Sequence, residues 1–401
     1  LQDGPVPADR DFELTWSPDL PNPAVSIFTE EWKGEQYGLV MVTPPAGKSP
    51  QVPSRNREII FIIDTSGSMA GKSLPQAKAS LRYALEKLSR QDRFNIIQFN
   101  SRTSSLFGTA VPANAGNVSA ARTYIKGLKA DGGTEMVPAI RFALDGLDDK
   151  SRIRQVIFIT DGGVSNEAEL FQEIATRLGD TRFFTIGIGS APNQHFMRRA
   201  AKYGRGTFTF IGDLDQTEGR MKELWQKLSR PVLTDLSVRP RSEGFIEAYP
   251  KMIPDLFVGD PVVFAFRYSD GLKRLEVRGQ GPNGHWVEDF DLENASTGTG
   301  ISKLWGREKV DDLESSVYWG TFSDEVRKEA IDVALKHQLV TRYTSLVAID
   351  ETPARGPGED LVSKNIPTNL PFGWEYEKVF GGKNGEGMPL MHKTLLKEAR
   401  L

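Results

Sequence analysis

Cysteine is absent from all 401 residues, which excludes disulfides, thiolate catalysis and Cys-ligated zinc within the chain. That absence does not choose a compartment. Histidine is almost as scarce: His195, His285, His337 and His392 are scattered, with no H-x-x-x-H or H-E-x-x-H spacing, so nothing points to zinc hydrolase chemistry. No window approaches the roughly 18 unbroken apolar residues of a membrane span, and no signal peptide heads the sequence. The chain opens at Leu1 rather than Met, as expected of a piece of a longer protein. An excess of one charge is missing too: 50 Lys and Arg stand against 53 Asp and Glu, and a net charge of -3 argues against an electrostatic nucleic-acid binder. No internal repeat is found.

What remains is an ordinary globular composition, 39% apolar and 26% charged. Its length exceeds what one core usually covers, so two or three structural units are expected. Residues 8–50 read as β-structure. Phe12, Leu14 and Trp16 alternate on one face, and "YGLVMV" at 37–42 makes another strand. From 57 to 229 buried strands alternate with amphipathic helices, the pattern of a doubly wound parallel sheet whose ligands bind at the carboxyl ends of strands. "TSSLF" at 103–107 is its expected antiparallel edge. After Pro231 short strands return. Val326, Ala330, Ile331, Ala334 and Leu335 then predict one buried helix face, "TSLVAID" at 344–350 a last strand, and the Pro/Gly-rich remainder a meandering tail.

The chemistry concentrates in "REIIFIIDTSGSMAGKS", residues 57–73. The apolar run Ile59–Ile63 breaks into Asp64, Ser66 and Ser68, three oxygen-bearing side chains spaced two apart on a Gly-containing loop. Hard oxygens with no Cys or His nearby suit Mg²⁺, with Mn²⁺ or Ca²⁺ as alternatives. Thr134 in "DGGT" and Asp161 after the strand "VIFIT" fall at the same end of the predicted sheet. Taken singly, each has a plainer role: Ser and Gly make turns, and Asp after a strand caps a helix. Two other readings of the same stretch are disfavoured. "GSMAGKS" has three residues between its glycines where a phosphate-binding P-loop needs four, so Lys72 reads as a solvated residue opening a helix. No base is placed to activate a serine nucleophile. The sequons at Asn117 and Asn294 are short patterns expected by chance, and Trp225 and Phe196 sit on helix stripes as core.

The D-x-S-x-S…T…D pattern of Asp64, Ser66, Ser68, Thr134 and Asp161 resembles the metal-ion-dependent adhesion site of von Willebrand factor A domains over residues 57–229. The resemblance implies that Ser66, Ser68 and Thr134 ligate Mg²⁺ directly. Asp64 and Asp161 orient its waters, and an acidic side chain of a partner completes the shell. The flanks "DFELTW", "YGRGTFTFIGDLDQ", "DLFVGDPVVFAFRY" and "ALKHQLVTRYTSLVAID" resemble inter-alpha-trypsin inhibitor heavy chains and, most closely, marine proteobacterial sortase-target relatives, although no L-P-x-T-G signal is present.

The expected architecture is therefore an α/β doubly wound, mostly parallel, Rossmann-like sheet inserted in a split β-sandwich, as in integrin β chains, with a C-terminal helical segment. The expected boundaries are 1–53 for the first half of the sandwich and linker, 54–230 for the A domain, and 231–296 for the second part of the sandwich. Residues 297–350 would hold the helical segment and closing strand, and 351–401 the tail. The expected function is non-enzymatic: a bacterial, secreted or cell-surface module that binds a protein or matrix ligand through a Mg²⁺-bridged acidic contact, with no nucleic acid and no transmembrane segment. The rivals are an intracellular metal-dependent scaffold beside an ATPase and, more remotely, a Mg²⁺-dependent phosphohydrolase.

Overall fold

The computed structural model describes residues 20–347 apart from 21, 46–55, 147–150, 163–165, 190–191, 230, 282–283, 317–320 and 322. The expected strand at 12–16 and the tail from 351 lie outside the described residues. Strands β1 (Ala24–Trp32) and β2 (Glu35–Thr43) form a hairpin. Lys33 and Gly34, both at positive φ (51° and 74°), make the tight turn whose twist matches the strands.

The doubly wound unit follows. Its strands are β3 (Arg57–Asp64), β4 (Arg93–Phe99), β5 (Thr103–Ser105), β6 (Val111–Pro112), β7 (Ile153–Thr160), β8 (Arg182–Ile188) and β9 (Arg205–Ile211). They are ordered β5-β4-β3-β7-β8-β9, with β6 also on β4. β3, β4, β7, β8 and β9 are parallel, and β5 is the antiparallel edge that the sequence predicts. Every residue of β3 is buried. Its alternation sends Ile59, Phe61 and Ile63 into one core and Ile60 and Ile62 into the other, the period-2 signature of a strand covered on both faces. Helices α1 (Ser73–Lys87), α2 (Ala115–Gly127) and α6 (Thr217–Ser229) supply apolar side chains to the first core, Trp225 among them. Helices α3 (Met136–Ala143), α4 (Glu167–Arg177) and α5 (Gln194–Tyr203) supply the second, including Phe196.

The chain then re-enters β-structure through β10 (Pro231–Pro240), β11 (Ile246–Tyr249), β12 (Leu256–Phe257), β13 (Val262–Tyr268), β14 (Arg274–Gly281), β15 (Gly284–Asp291) and β16 (Ser296–Thr297). β13 pairs antiparallel with β2, Val262 opposite Val42, so strands from either side of the α/β unit share one sheet, ordered β11-β13-β2-β1-β16. The second sheet, β12-β10-β14-β15, encloses with it a core containing Val40, Val42, Phe264, Phe266, Leu275 and Val277. The α/β unit is thus an insertion in a β-sandwich. Two buried or half-buried polar contacts join the parts: Arg182 Nε on Asp255 Oδ2 at 2.5 Å, and Lys202 Nζ on Glu308 and Asp311 at 2.8 Å each.

Two expectations about the C-terminal part fail. Thr344 to Val347 form no sheet strand, only a bridge from Thr344 to Thr341, and Leu346 and Val347 are 74% and 77% exposed. The place beside β1 is taken by β16, in parallel register with Phe28 and Thr29. Helices α7 (Ile301–Ser315) and α8 (Asp324–His337) are present, but α8 buries Ala330, Ala334 and His337, while Leu335 is 63% exposed. Period-3.6 counting favours Leu335; packing favours His337, because Trp32 stacks on its ring at 4.7 Å and Trp305 and Tyr37 close around it. Gly306 permits this approach, since a Cβ there would lie 2.8 Å from His337 Cγ.

Burial and the nearby Lys336 ammonium push the His337 imidazole down to about 4. The neutral ring is the one the fold accepts. Its stabilisation is complete above about pH 6.5 and is lost as pH falls toward 4, where the unfolded chain takes up the proton first. We expect His337→Phe to remove about 2 kcal/mol of the stability loss between these pH values, read from urea unfolding at pH 7, 5.5 and 4.5.

Candidate metal centre

Asp64 is the last residue of β3 and fully buried, with both carboxylate oxygens occupied. Ser66 N donates to Oδ1 at 2.8 Å, folding the chain back in a turn closed by the side chain, and Thr160 Oγ1 at the end of β7 donates to Oδ2 at 2.6 Å. Burial pushes the Asp64 carboxyl above its ordinary range; these hydrogen bonds oppose that, and the Asp161 charge adds to it. Among the described residues neither Asp64 nor Asp161 is paired with Lys, Arg or His. Two carboxylates therefore share a site that contains no cation of the protein's own.

Ser66 Oγ lies 3.0 Å from Ser68 Oγ, and Ser68 Oγ donates to Asp161 Oδ1 at 3.0 Å. The three oxygens form a short chain at the carboxyl ends of β3 and β7. Thr134 is half-buried on the loop between α2 and α3. That loop is drawn to the first by Asp131 N on Thr65 O (2.9 Å) and Gly67 N on Gly132 O (3.0 Å). The structure thus links Asp64, Ser66, Ser68 and Asp161 by direct hydrogen bonds or shared neighbours. It brings Thr134's loop alongside them, without a bond from Thr134's own hydroxyl into the cluster among the described residues.

Three supporting residues escape the sequence reading. Thr160 holds Asp64 and also accepts from Gly162 N at 3.0 Å. Ser101 Oγ accepts from Gly133 N at 2.7 Å and so braces the Thr134 loop. Asn193, capping α5, leaves no room beside Gly162, where a Cβ would fall 2.3 Å from Asn193 N. Of these only Thr160 left a signal, a hydroxyl residue ending an otherwise apolar strand.

The donor set suits a hard divalent cation. Metal–oxygen distances of about 2.0–2.1 Å place neighbouring oxygens of an octahedron about 3 Å apart. The Ser66–Ser68–Asp161 separations are 3.0 Å. No group of three or more His, Cys, Asp or Glu side chains gathers anywhere among the described residues, so hydroxyls are the indispensable donors of any such site.

An open doubly wound sheet carrying hydroxyls and carboxylates at its carboxyl edge defines a Rossmann-like α/β domain whose ligands belong at that edge. Its family is the von Willebrand factor type A domain, whose model matches residues 57–210, and the chain carries a domain of that family. Two von Willebrand factor A domain-containing proteins of Dictyostelium discoideum are each 30% identical over 309 residues. The match covers 73% of this chain and 37% and 33% of theirs. Human inter-alpha-trypsin inhibitor heavy chain H4 is 24% identical over 320 residues, covering 73% of this chain and 34% of its own length. The chain spans about a third of the length of these curated relatives. Among solved structures, a von Willebrand factor type A protein from Catenulispora acidiphila aligns over 80% of this chain and 88% of its own, at TM-score 0.53 and 17% identity. The ArnB paralog VWA2 from Sulfolobus acidocaldarius aligns over 80% and 91%, at TM-score 0.51 and 18% identity. They share the fold.

Replacing Thr160 by Val removes a donor from a buried carboxylate and is expected to cost about 1–3 kcal/mol, measured by chemical unfolding in EDTA. In the unsubstituted protein Mg²⁺ should raise the Tm, and the rise should shrink as pH falls, because a proton taken up by the Asp64 carboxyl, which burial pushes above its ordinary range, removes negative charge from the site.

Proposed function

We propose that residues 54–230 bind an acidic side chain of a protein or matrix partner through a Mg²⁺ ion held by Ser66, Ser68 and Thr134, with Asp64 and Asp161 acting through water. The observation that carries this reading is the 3.0 Å spacing of the two hydroxyls Ser66 Oγ and Ser68 Oγ, with Asp161 held beside them by Ser68, above an Asp64 whose two oxygens each accept one protein hydrogen bond. Each of its oxygens holds one protein donor and keeps a lone pair for a water on the ion, so Asp64 serves as an orienting acceptor. When bound, the ion supplies a positive centre with one coordination position left for the partner's carboxylate. Mn²⁺ or Ca²⁺ would fit the same donors with different tolerance of geometry.

The reading is of a binding module without catalysis. Among the described residues no third carboxylate joins Asp64 and Asp161 to position a nucleophile, which disfavours a phosphohydrolase. Likeness to inter-alpha-trypsin inhibitor heavy chains favours a secreted or cell-surface setting over an intracellular scaffold. No helix among the described residues is long and apolar enough to cross a membrane. The sandwich, formed by the parts on either side of 54–230, would carry the A domain and present its metal face.

Mn²⁺ titrated into the protein and followed by electron paramagnetic resonance should show one site of stoichiometry near one. Ser68→Ala, at an exposed position, should weaken it by about tenfold or more without loss of the Tm measured in EDTA. Unchanged Mn²⁺ affinity in Ser68→Ala and in Asp64→Asn would refute the site, and metal-dependent turnover of p-nitrophenyl phosphate would favour the phosphohydrolase.

A further inference from the structure

Charge is distributed very unevenly along this chain. Residues 72–129 hold ten Lys and Arg against two Asp and Glu, leaving forty against fifty-one elsewhere. One of the two acids, Asp92, is buried and paired with Arg57, so Glu86 is the sole surface carboxylate of this stretch. The excess gathers on helices α1 and α2, which pack antiparallel. Lys78 Nζ donates to Lys126 O and Leu128 O (3.2 and 2.6 Å), while one end further along Arg122 approaches Glu86 at 3.8 Å. Lys72, Arg82, Lys126 and Lys129 are exposed and, among the described residues, have no acidic partner. Burial, and next the neighbouring Arg82 charge, hold the Lys78 ammonium below its ordinary range.

The strip begins at the metal face. Lys72 directly precedes α1 at the end of the Asp64 loop, and Lys129 stands two residues before Asp131, whose N–H donates to Thr65 O. From there it runs along α1 past Arg82 to Glu86. Ser73 to Glu86 spans about 20 Å at 1.5 Å per residue, a length covered by about six residues of extended peptide. At Glu86 the strip is interrupted by its one surface carboxylate, with the exposed Lys87 and Arg90 lying beyond it. Most of the remaining surface belongs to a part of the chain with an acidic excess, which repels a long polyanion and tolerates a short one.

We propose that this strip binds an extended acidic polypeptide segment about six residues long, whose terminal carboxylate meets the metal face while its other acids lie over Lys72, Lys129, Lys126 and Arg82. The proposal rests on the metal-bridged reading given above and names the partner's chemistry. The short reach and the shared start with a site that takes one carboxylate favour a peptide over a sulfated polysaccharide.

The test uses the full 401-residue chain and a fluorescein-labelled hexaglutamate peptide, with binding followed by anisotropy in Mg²⁺ and in EDTA. Lys126→Glu with Lys129→Glu should weaken binding about tenfold or more in Mg²⁺, and Lys126→Gln with Lys129→Gln should fall between. Rising salt should weaken the unsubstituted protein more than the charge-reversed one. Charge reversal without effect, while EDTA still abolishes binding, overturns the strip and leaves the metal reading intact. EDTA without effect, while charge reversal abolishes binding, overturns the metal arm and supports the strip. A sulfated polysaccharide that displaces the peptide at equal charge concentration, in Mg²⁺ and EDTA alike, overturns the peptide assignment.

Discussion

The structure depends on one costly arrangement: a carboxylate buried at the end of the central strand. Asp64 has no exposed surface and no cationic neighbour, and it is tolerated because Ser66 N and Thr160 Oγ1 each satisfy one oxygen. Those two donors come from different places, one from the loop just after β3 and one from the end of β7. Strand order supplies the second, because β3 lies between β4 and β7 and its carboxyl end is flanked on both sides. The loop after β4 adds Ser101, which braces the Thr134 loop, so the parallel register of three strands fixes the positions of all the candidate donors.

The sandwich is joined to this unit by apolar and charged contacts together: Phe257 of β12 packs in the first core, its ring centroid 5.7 Å from that of Phe184. Arg182 at the start of β8 reaches the buried Asp255 at 2.5 Å, at the end of the sheet opposite the metal face. Lys202 and Arg199 on α5 meet Glu308, Asp311 and Ser315 on α7. Paired charges with little solvent between them fix orientation more than they add stability, since each ion has lost water to be there. The arrangement also has a consequence for the site. α5 is held by α7 at its C-terminal end, while its N-terminal cap Asn193 is packed against Gly162 beside Asp161. One ten-residue helix therefore touches both the metal loop and the helical segment.

How far the sequence discloses this differs with the range of the forces involved. The doubly wound sheet is legible because each strand announces itself locally: β3 is a continuous apolar run, and its end is marked by three small oxygen-bearing side chains. The sandwich is legible in part, and β1 is the weak point. Its Glu30 and Glu31 break the alternation that identifies β2. Glu30 is there for a distant purpose, accepting from Gly300 N and Ser302 N at 2.8 and 2.6 Å and so capping α7, about 270 residues further on. The backbone N–H donors hold its carboxyl below the ordinary range against the effect of burial. His337 is obscured for the same reason. A period-3.6 count cannot know that two tryptophans, a tyrosine and a glycine from three other elements make a better pocket for imidazole than the neighbouring surface makes for Leu335. Thr160 and Ser101 belong to this class as well, being hydroxyls whose role is set by what folds onto them.

The site's scarcity of acid is the feature that fits it to binding rather than to storing an ion. A cage of three or four carboxylates would neutralise a divalent cation and leave it indifferent to a partner. Here the protein offers two, and one of those is committed to a buried strand end where Ser66 N and Thr160 already draw on its charge. The remaining donors are neutral hydroxyls, which orient without neutralising. Under the proposed reading, a cation so held would keep part of its charge for whatever approaches from solvent, across a rim where Lys72 and Lys129 are exposed. Affinity for the ion would thereby be exchanged for attraction of an anion, and the deep burial of Asp64 would keep its carboxylate from competing with the partner's own.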